Sequence, residues 1–189
     1  LIHYDWNTFG LECTASHSFS LEKVRVSSDQ AFHLSPDKRY YDSALYRIPF
    51  MAFAELTLLV NYMGMYRRFL DLADKYFFEK SKDSFWAEKF SKARFKKVDK
   101  MQQEMNANRT FLNTAVANLW QQSQNTAIAE DTLYLAELST KCKDIVASIR
   151  VNVSTLMPLL GIQAAQIDKE LNIVFRNIFT ATQHSLLNV

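Results

Sequence analysis

Arg176, Asn177 and His184 are the side chains of widest chemical range near the end of this chain, in the stretch RNIFTATQH (176–184). At helical spacing Asn177, Ala181 and His184 lie close to one stripe, beside the apolar face and not opposite it. An imidazole titrates near neutrality, so it can pass a proton or hold a developing anion. A histidine closing a helix can instead meet the last carbonyls and the helix dipole. Arg176 can bind an anionic group or pair with an acidic residue of a packed helix. Near the other end, Thr14 and Ser16 stand in CTASHS, where hydroxyls can face a ligand or simply close a turn. His17 and His33 have no carboxylate or cysteine at metal-ligand spacing, so no metal site is read. Cys13 and Cys142 belong to no redox or metal spacing and read as reduced thiols of a cytoplasmic protein.

The elements that must hold these residues change character along the chain. In residues 1–34, Trp6, Phe9 and Leu11 alternate, then Phe19 and Leu21, then Val24 and Val26, which predicts short antiparallel strands. Ser35-Pro36-Asp37 ends that section. From there the period is helical. One helix is expected from about Ile48 to Phe78, with Pro49 in its first turn and Phe53, Leu56, Val60, Met63 and Leu70 on its core face. A second runs from Phe85 or Ser91 to Ser123 on Val98, Met101, Met105, Phe111, Leu112, Val116 and Leu119. The third carries Leu133, Leu135, Leu138, Cys142, Ile145, Ile149, Val153 and Leu156, and it fades near Pro158 and Gly161. Asp168 is the expected N-cap of the fourth, whose core face is Leu171, Val174, Phe175 and Ile178. The fold class is therefore mainly α, an up-and-down four-helix bundle preceded by short strands.

Bulk properties set the remaining bounds. In 189 residues, 48% are apolar and only three glycines and three prolines interrupt regular structure. The net charge of +2 makes no case for a nucleic-acid partner. The basic block KARFKKVDK (92–100) is diluted by Asp99, Glu88 and Glu104 and spreads around a helix as a solvated face. IPFMAFAELTLLVNYMGMY (48–66) is strongly apolar, but Glu55 and Asn61 within it argue for a buried bundle helix over a membrane span. A helix so apolar needs covering on nearly every side, which predicts a homo-oligomer, a dimer or tetramer. Starting at Leu1 in an apparent strand, the chain reads as a piece of something longer.

Two of these stretches resemble one family. DWNTFGLECTASHSFSLEKVRV (5–26) is similar to the end of the β-domain in the acyl-CoA dehydrogenase superfamily, where a Trp-x-x-x-Gly-Leu-Arg-x-Thr-x-Ser segment leads into a last strand. RNIFTATQH (176–184) resembles the Arg-Asp…Gln-His segment of that superfamily's flavin-dependent monooxygenase branch. The resemblance implies that residues 1–34 are the closing strands of a middle β-domain and 35–189 the C-terminal helical bundle. It implies FAD or FMN held between the β-domain, this bundle and a neighbouring copy, with a small apolar or acyl-CoA-like substrate. His184 would face the isoalloxazine ring. Arg176, Asn177, Thr14, Ser16 and Gly161 would border the cofactor.

The departures from the family are as specific. HSLLNV (184–189) contains no carboxylate, and Tyr46 or its neighbours in ALYRIPF (44–50) stand where the other catalytic glutamate position falls. A tyrosine of ordinary pKa, about 10, is a poor base at neutral pH. Oxygen chemistry is thus expected over α,β-dehydrogenation, with the isolated chain inactive. FFEKSKDSFW (77–86) replaces an Arg-x-x-Phe-Gly, a Gly-Gly-x-Gly segment shrinks to Gly161, and Arg-Asp becomes Arg176-Asn177. The alternative these losses motivate is a diverged, non-catalytic bundle serving oligomerisation or partner binding.

Overall fold

The computed structural model describes residues 1–130 and 132–188. It is a mainly helical bundle preceded by a short antiparallel sheet of two strands, β1 (Ile2–His3) and β2 (Ser18–Phe19), with Ile2 opposite Phe19 and His3 opposite Ser18. The helices are α1 (Phe50–Lys80), α2 (Lys92–Ser123), α3 (Leu133–Leu156) and α4 (Glu170–Ala181). α1 packs along each of the other three, whereas those three scarcely meet one another. Leu59, Phe69 and Phe77 of α1 are fully buried, facing Val98 and Leu119 of α2, Val146 and Val153 of α3, and Ile178 of α4 in one core. No helix among the described residues is long and apolar enough to cross a membrane.

Local chemistry fixes the helix ends. Pro49 is the N-cap of α1, where its missing N–H costs nothing. Asp83 accepts from the Trp86 amide at 2.8 Å and starts a single helical turn, Ser84–Trp86. A π-helical turn, Ala87–Ser91, then leads into α2. The second helix thus has both of its expected starts, an irregular one near Phe85 and a regular one after Ser91. Thr132 caps α3 by accepting from Leu135 at 3.2 Å. Arg47 closes the C-terminal end of α2, donating to the carbonyls of Ser123 at 3.2 Å and Gln124 at 2.8 Å.

Several sequence expectations need correction. Phe53 and Val60 are exposed, because the buried face of α1 drifts with the 3.6-residue period through Leu56, Leu59, Met63, Tyr66 and Leu70. Val116 and Leu133 are exposed as well. Asp168 does not cap α4. Lys169 holds that position, and Glu170 in the first turn is bonded to Arg68 at 2.7 and 2.8 Å. The alternating strands shrink to two residues each. Trp6 to Leu11 is irregular, Leu11, Ala15 and Lys23 have positive φ, and Phe19, Leu21, Val24 and Val26 are exposed. Alternation makes a strand only where a neighbouring edge completes the hydrogen-bond ladder.

A few polar groups are built into the core. Glu55 is buried and accepts from the Ser139 hydroxyl at 2.7 Å. Beside it, burial pushes the Cys142 thiol up to about 12, with Glu55 adding to the shift. Between α2 and α3, Glu104 accepts from the Ser148 hydroxyl and from Asn152 at 3.3 Å. The Tyr66 hydroxyl is buried nearby and burial raises its pKa.

Candidate functional site

The two ends of the chain meet. Residues 5–18 form a self-bonded loop. The Trp6 amide donates to His17 Nδ1 at 3.0 Å, and the Trp6 indole donates to the Leu11 carbonyl at 3.0 Å. Asp5 accepts from the Ser18 amide at 2.9 Å and from its hydroxyl, which holds the Asp5 carboxyl below its ordinary value. At the tip of this loop Gly10 lies against α4. A Cβ at Gly10 would stand 2.2 Å from the Arg176 carbonyl oxygen and 2.6 Å from the Asn177 nitrogen, so no side chain fits. The chain then turns through Leu11, whose φ is 58°, and the Leu11 amide donates to Asn177 Oδ1 at 2.8 Å.

Arg176 gathers the same loop from the other side. Its guanidinium donates to the Phe9 carbonyl at 3.1 Å and to Glu12 at 2.9 Å. It also donates to Asn172 Oδ1 at 3.1 Å and to the Ile167 carbonyl at 3.4 Å. Its planar head lies 5.9 Å from the centre of the Phe9 ring. Phe9 in turn packs edge-on to Phe175 and Phe179, at 6.5 and 5.8 Å between centroids. Asn172 donates to the Ala164 carbonyl at 3.1 Å and so ties in the connection between α3 and α4. Arg176 therefore pairs with an acidic side chain, but one from the loop and not from a packed helix.

Among the described residues, only Thr14 of the remaining expected site residues bonds to a residue of that junction. α4 ends at Ala181, so His184 lies in the turn beyond the helix and off the predicted stripe. It is exposed, and its Nδ1 accepts from the Leu186 amide at 3.2 Å. The residues between, Thr182 and Gln183, close the helix through bonds to Ile178 and Thr180, which ends the regular spiral early. Thr14 and Ser16 are exposed. Thr14 donates to the Leu11 carbonyl at 2.8 Å, and Ser16 donates to the Thr14 hydroxyl at 3.2 Å. Gly161 has φ 78° between two short 3-10 turns, and a Cβ there would meet only the Tyr76 hydroxyl at 3.7 Å. Its φ, not crowding, is what calls for glycine. Among the described residues no hydrogen bond joins His184 to Arg176, Asn177, Thr14 or Ser16.

Three junction residues were missed in the sequence reading. Gly10 and Glu12 both lie in the quoted motif, and Glu12 occupies the place of its arginine. An acidic residue at 12 together with a neutral Asn177 is the signal that could have paired Glu12 with Arg176. Asn172, one turn before Arg176, is the third.

For a flavin, these residues fit in part. Thr14, Ser16 and His184 are exposed polar groups that can meet a ring edge, whereas the Arg176 guanidinium is occupied by Glu12, Asn172 and two carbonyls. A cofactor diphosphate would need another cation. Searched against protein-family models and curated proteins, the chain matches none.

Proposed function

We propose that this chain is the C-terminal portion of a flavin-dependent oxidoreductase of acyl-CoA dehydrogenase type, with oxygenase-like chemistry. One observation carries the reading. The two stretches that resemble the superfamily meet in one junction, in which the Gly10 backbone and the Leu11 amide lie on Arg176 and Asn177, with Leu11 and Asn177 166 positions apart. The motif glycine is required by that contact, and the motif arginine together with Asn177, which stands in place of the motif aspartate, holds it. In this reading the junction fixes the loop bearing Thr14 and Ser16 relative to α4, and the exposed His184 imidazole exchanges a proton at the flavin edge. Flavin, when bound, supplies the redox and oxygen chemistry. Arg176 is a positioning residue, FAD or FMN would be bound partly by other segments or another copy, and the substrate would be small and apolar or acyl-CoA-like.

The test is flavin binding by the longest natural form of the protein, titrated with FAD and with reduced FMN and followed by flavin fluorescence. The expected result is micromolar binding, with His184→Ala leaving affinity within about threefold while changing the spectrum of the bound flavin and its reoxidation by oxygen. Failure to bind either flavin would sink the proposal. It would favour the second reading, a non-catalytic bundle for assembly or partner binding, which the Arg176–Glu12 pairing motivates.

A further inference from the structure

The tip joining α1 to α2 has a chemistry that the flavin reading leaves unused. Its aromatic side chains divide into two sets. Phe77 stacks on Trp86 at 6.0 Å between centroids and meets Phe95 edge-on at 6.5 Å, anchoring the tip to the core. Phe78 and Phe85 face outward, 58% and 69% exposed. Each outward ring has a cation beside it. The Lys82 ammonium lies 5.6 Å from the Phe78 ring, and that of Lys89 lies 5.6 Å from Phe85 and 5.4 Å from Phe90. Between positions 78 and 97 stand seven basic side chains against three acidic ones, Glu79, Asp83 and Glu88.

We propose that this tip docks on an anionic lipid bilayer, with Phe78 and Phe85 entering the headgroup layer and the lysines engaging lipid phosphates and carboxylates. Exposed phenylalanines rimmed by lysine suit an interface that is apolar below and negative above. The lysine stems can follow the rings inward while their ammonium groups stay among the headgroups. Six of the seven cations are lysine, which acts as a mobile point charge and lacks the planar fork that arginine offers to a nucleic-acid or carboxylate partner. Asp83 and the inner aromatic stack hold the tip in shape, so little ordering is needed on contact. The attachment is to one surface and needs no membrane-spanning helix. The sequence reading set membranes aside because it weighed only the apolar stretch 48–66.

The experiment is cosedimentation of the full chain with vesicles of phosphatidylcholine alone or of equal parts phosphatidylcholine and phosphatidylserine. Binding is expected only to the serine-containing vesicles and should weaken as salt rises. Phe78→Ser with Phe85→Ser should lower it about tenfold, and Lys80→Gln, Lys82→Gln and Lys89→Gln together by at least as much. Phe78, Lys82, Phe85 and Lys89 are exposed and Lys80 is partly so, and circular dichroism of each variant checks that the helices persist. Equal sedimentation with both vesicle types, or undiminished binding by both variants, would overturn the proposal. So would retention on a nucleic-acid duplex without vesicle binding, which would assign the charge to that polymer. A changed solution mass in the phenylalanine variant, with no vesicle binding by the unsubstituted chain, would assign the tip to contact between copies and overturn it equally.

Discussion

Residues 5–18 and residues 19–46 both carry spaced apolar side chains, yet the first is fastened to the bundle at its middle and the second only near its end. The first is held by a glycine that lets backbone lie on backbone, an amide bonded to Asn177, and an arginine that grips it at two points. The second has Leu21, Val24, Val26 and Phe32 exposed, and its firm contacts come only near its end, where Arg39 and Arg47 share Asp42. Apolar content alone does not dock a segment. What docks the first is a small set of directional contacts that fit one surface.

Substitutions can break that contrast or sharpen it. The largest effect belongs to the surface on which the loop depends. Phe69→Ala, which removes the fully buried ring behind Phe175, should cost about 3–5 kcal/mol, read as a lowered midpoint in urea melts followed by far-ultraviolet circular dichroism. A loss of loop protection without loss of bundle stability would mean that the two are coupled differently. Next is Gly10→Ala, which drives a methyl group into the α4 backbone and should cost about 1–3 kcal/mol. Hydrogen exchange is the sharper readout, since the Leu11 amide should lose its protection while the α1 amides keep theirs. Unchanged protection at Leu11 would show that the docked geometry is not needed.

A smaller effect is expected from charge. Glu12→Arg places two guanidinium groups together and should cost about 1 kcal/mol, as an exposed pair allows. Adding Asn177→Asp should recover part of it, because the new arginine then finds a carboxylate. A double-mutant cycle with no coupling would remove charge from the account of the junction. The smallest effect concerns the second segment. Arg47 and Arg39 hold the Asp42 carboxyl down from 3.8 to about 2. A depressed folded pKa stabilises above the unfolded value, so this contribution is present at neutral pH and is lost as pH falls from about 4 toward 2. Amide exchange at 42–47 and at the C-terminal end of α2 should rise together in that window. A rise at neutral pH on Arg47→Ala alone would confirm the link, and no rise would break it.

The bundle was legible because α1, α2 and α3 are long and repeat their apolar residues many times, so errors at single positions such as Phe53 or Val116 leave the helix intact. The loop was not legible as structure. Its alternation satisfied a strand pattern, but a strand is completed by its neighbour, and here the partners of Gly10 and Leu11 are backbone and amide groups on a helix far along the chain. Of the candidate site, Arg176 and Asn177 meet the motif near the other end directly, whereas the resemblance implied only that both stretches border a cofactor. His184 was misplaced because a spacing argument assumes that the helix continues, and α4 stops three residues earlier. Gly161 was singled out through the resemblance, as a place where backbone could approach a cofactor, whereas what calls for glycine there is its φ of 78°.

The hub position of α1 bears on how the chain comes together during synthesis. The helix that touches the other three is also made before them, so α2, α3 and α4 each meet a partner that is already made. None has to wait for a later one, and each can add as it emerges. The loop at the beginning is the exception. It is made before the four helices, but its docking surface on α4 is made after the other three, so this loop can dock only once α4 has emerged.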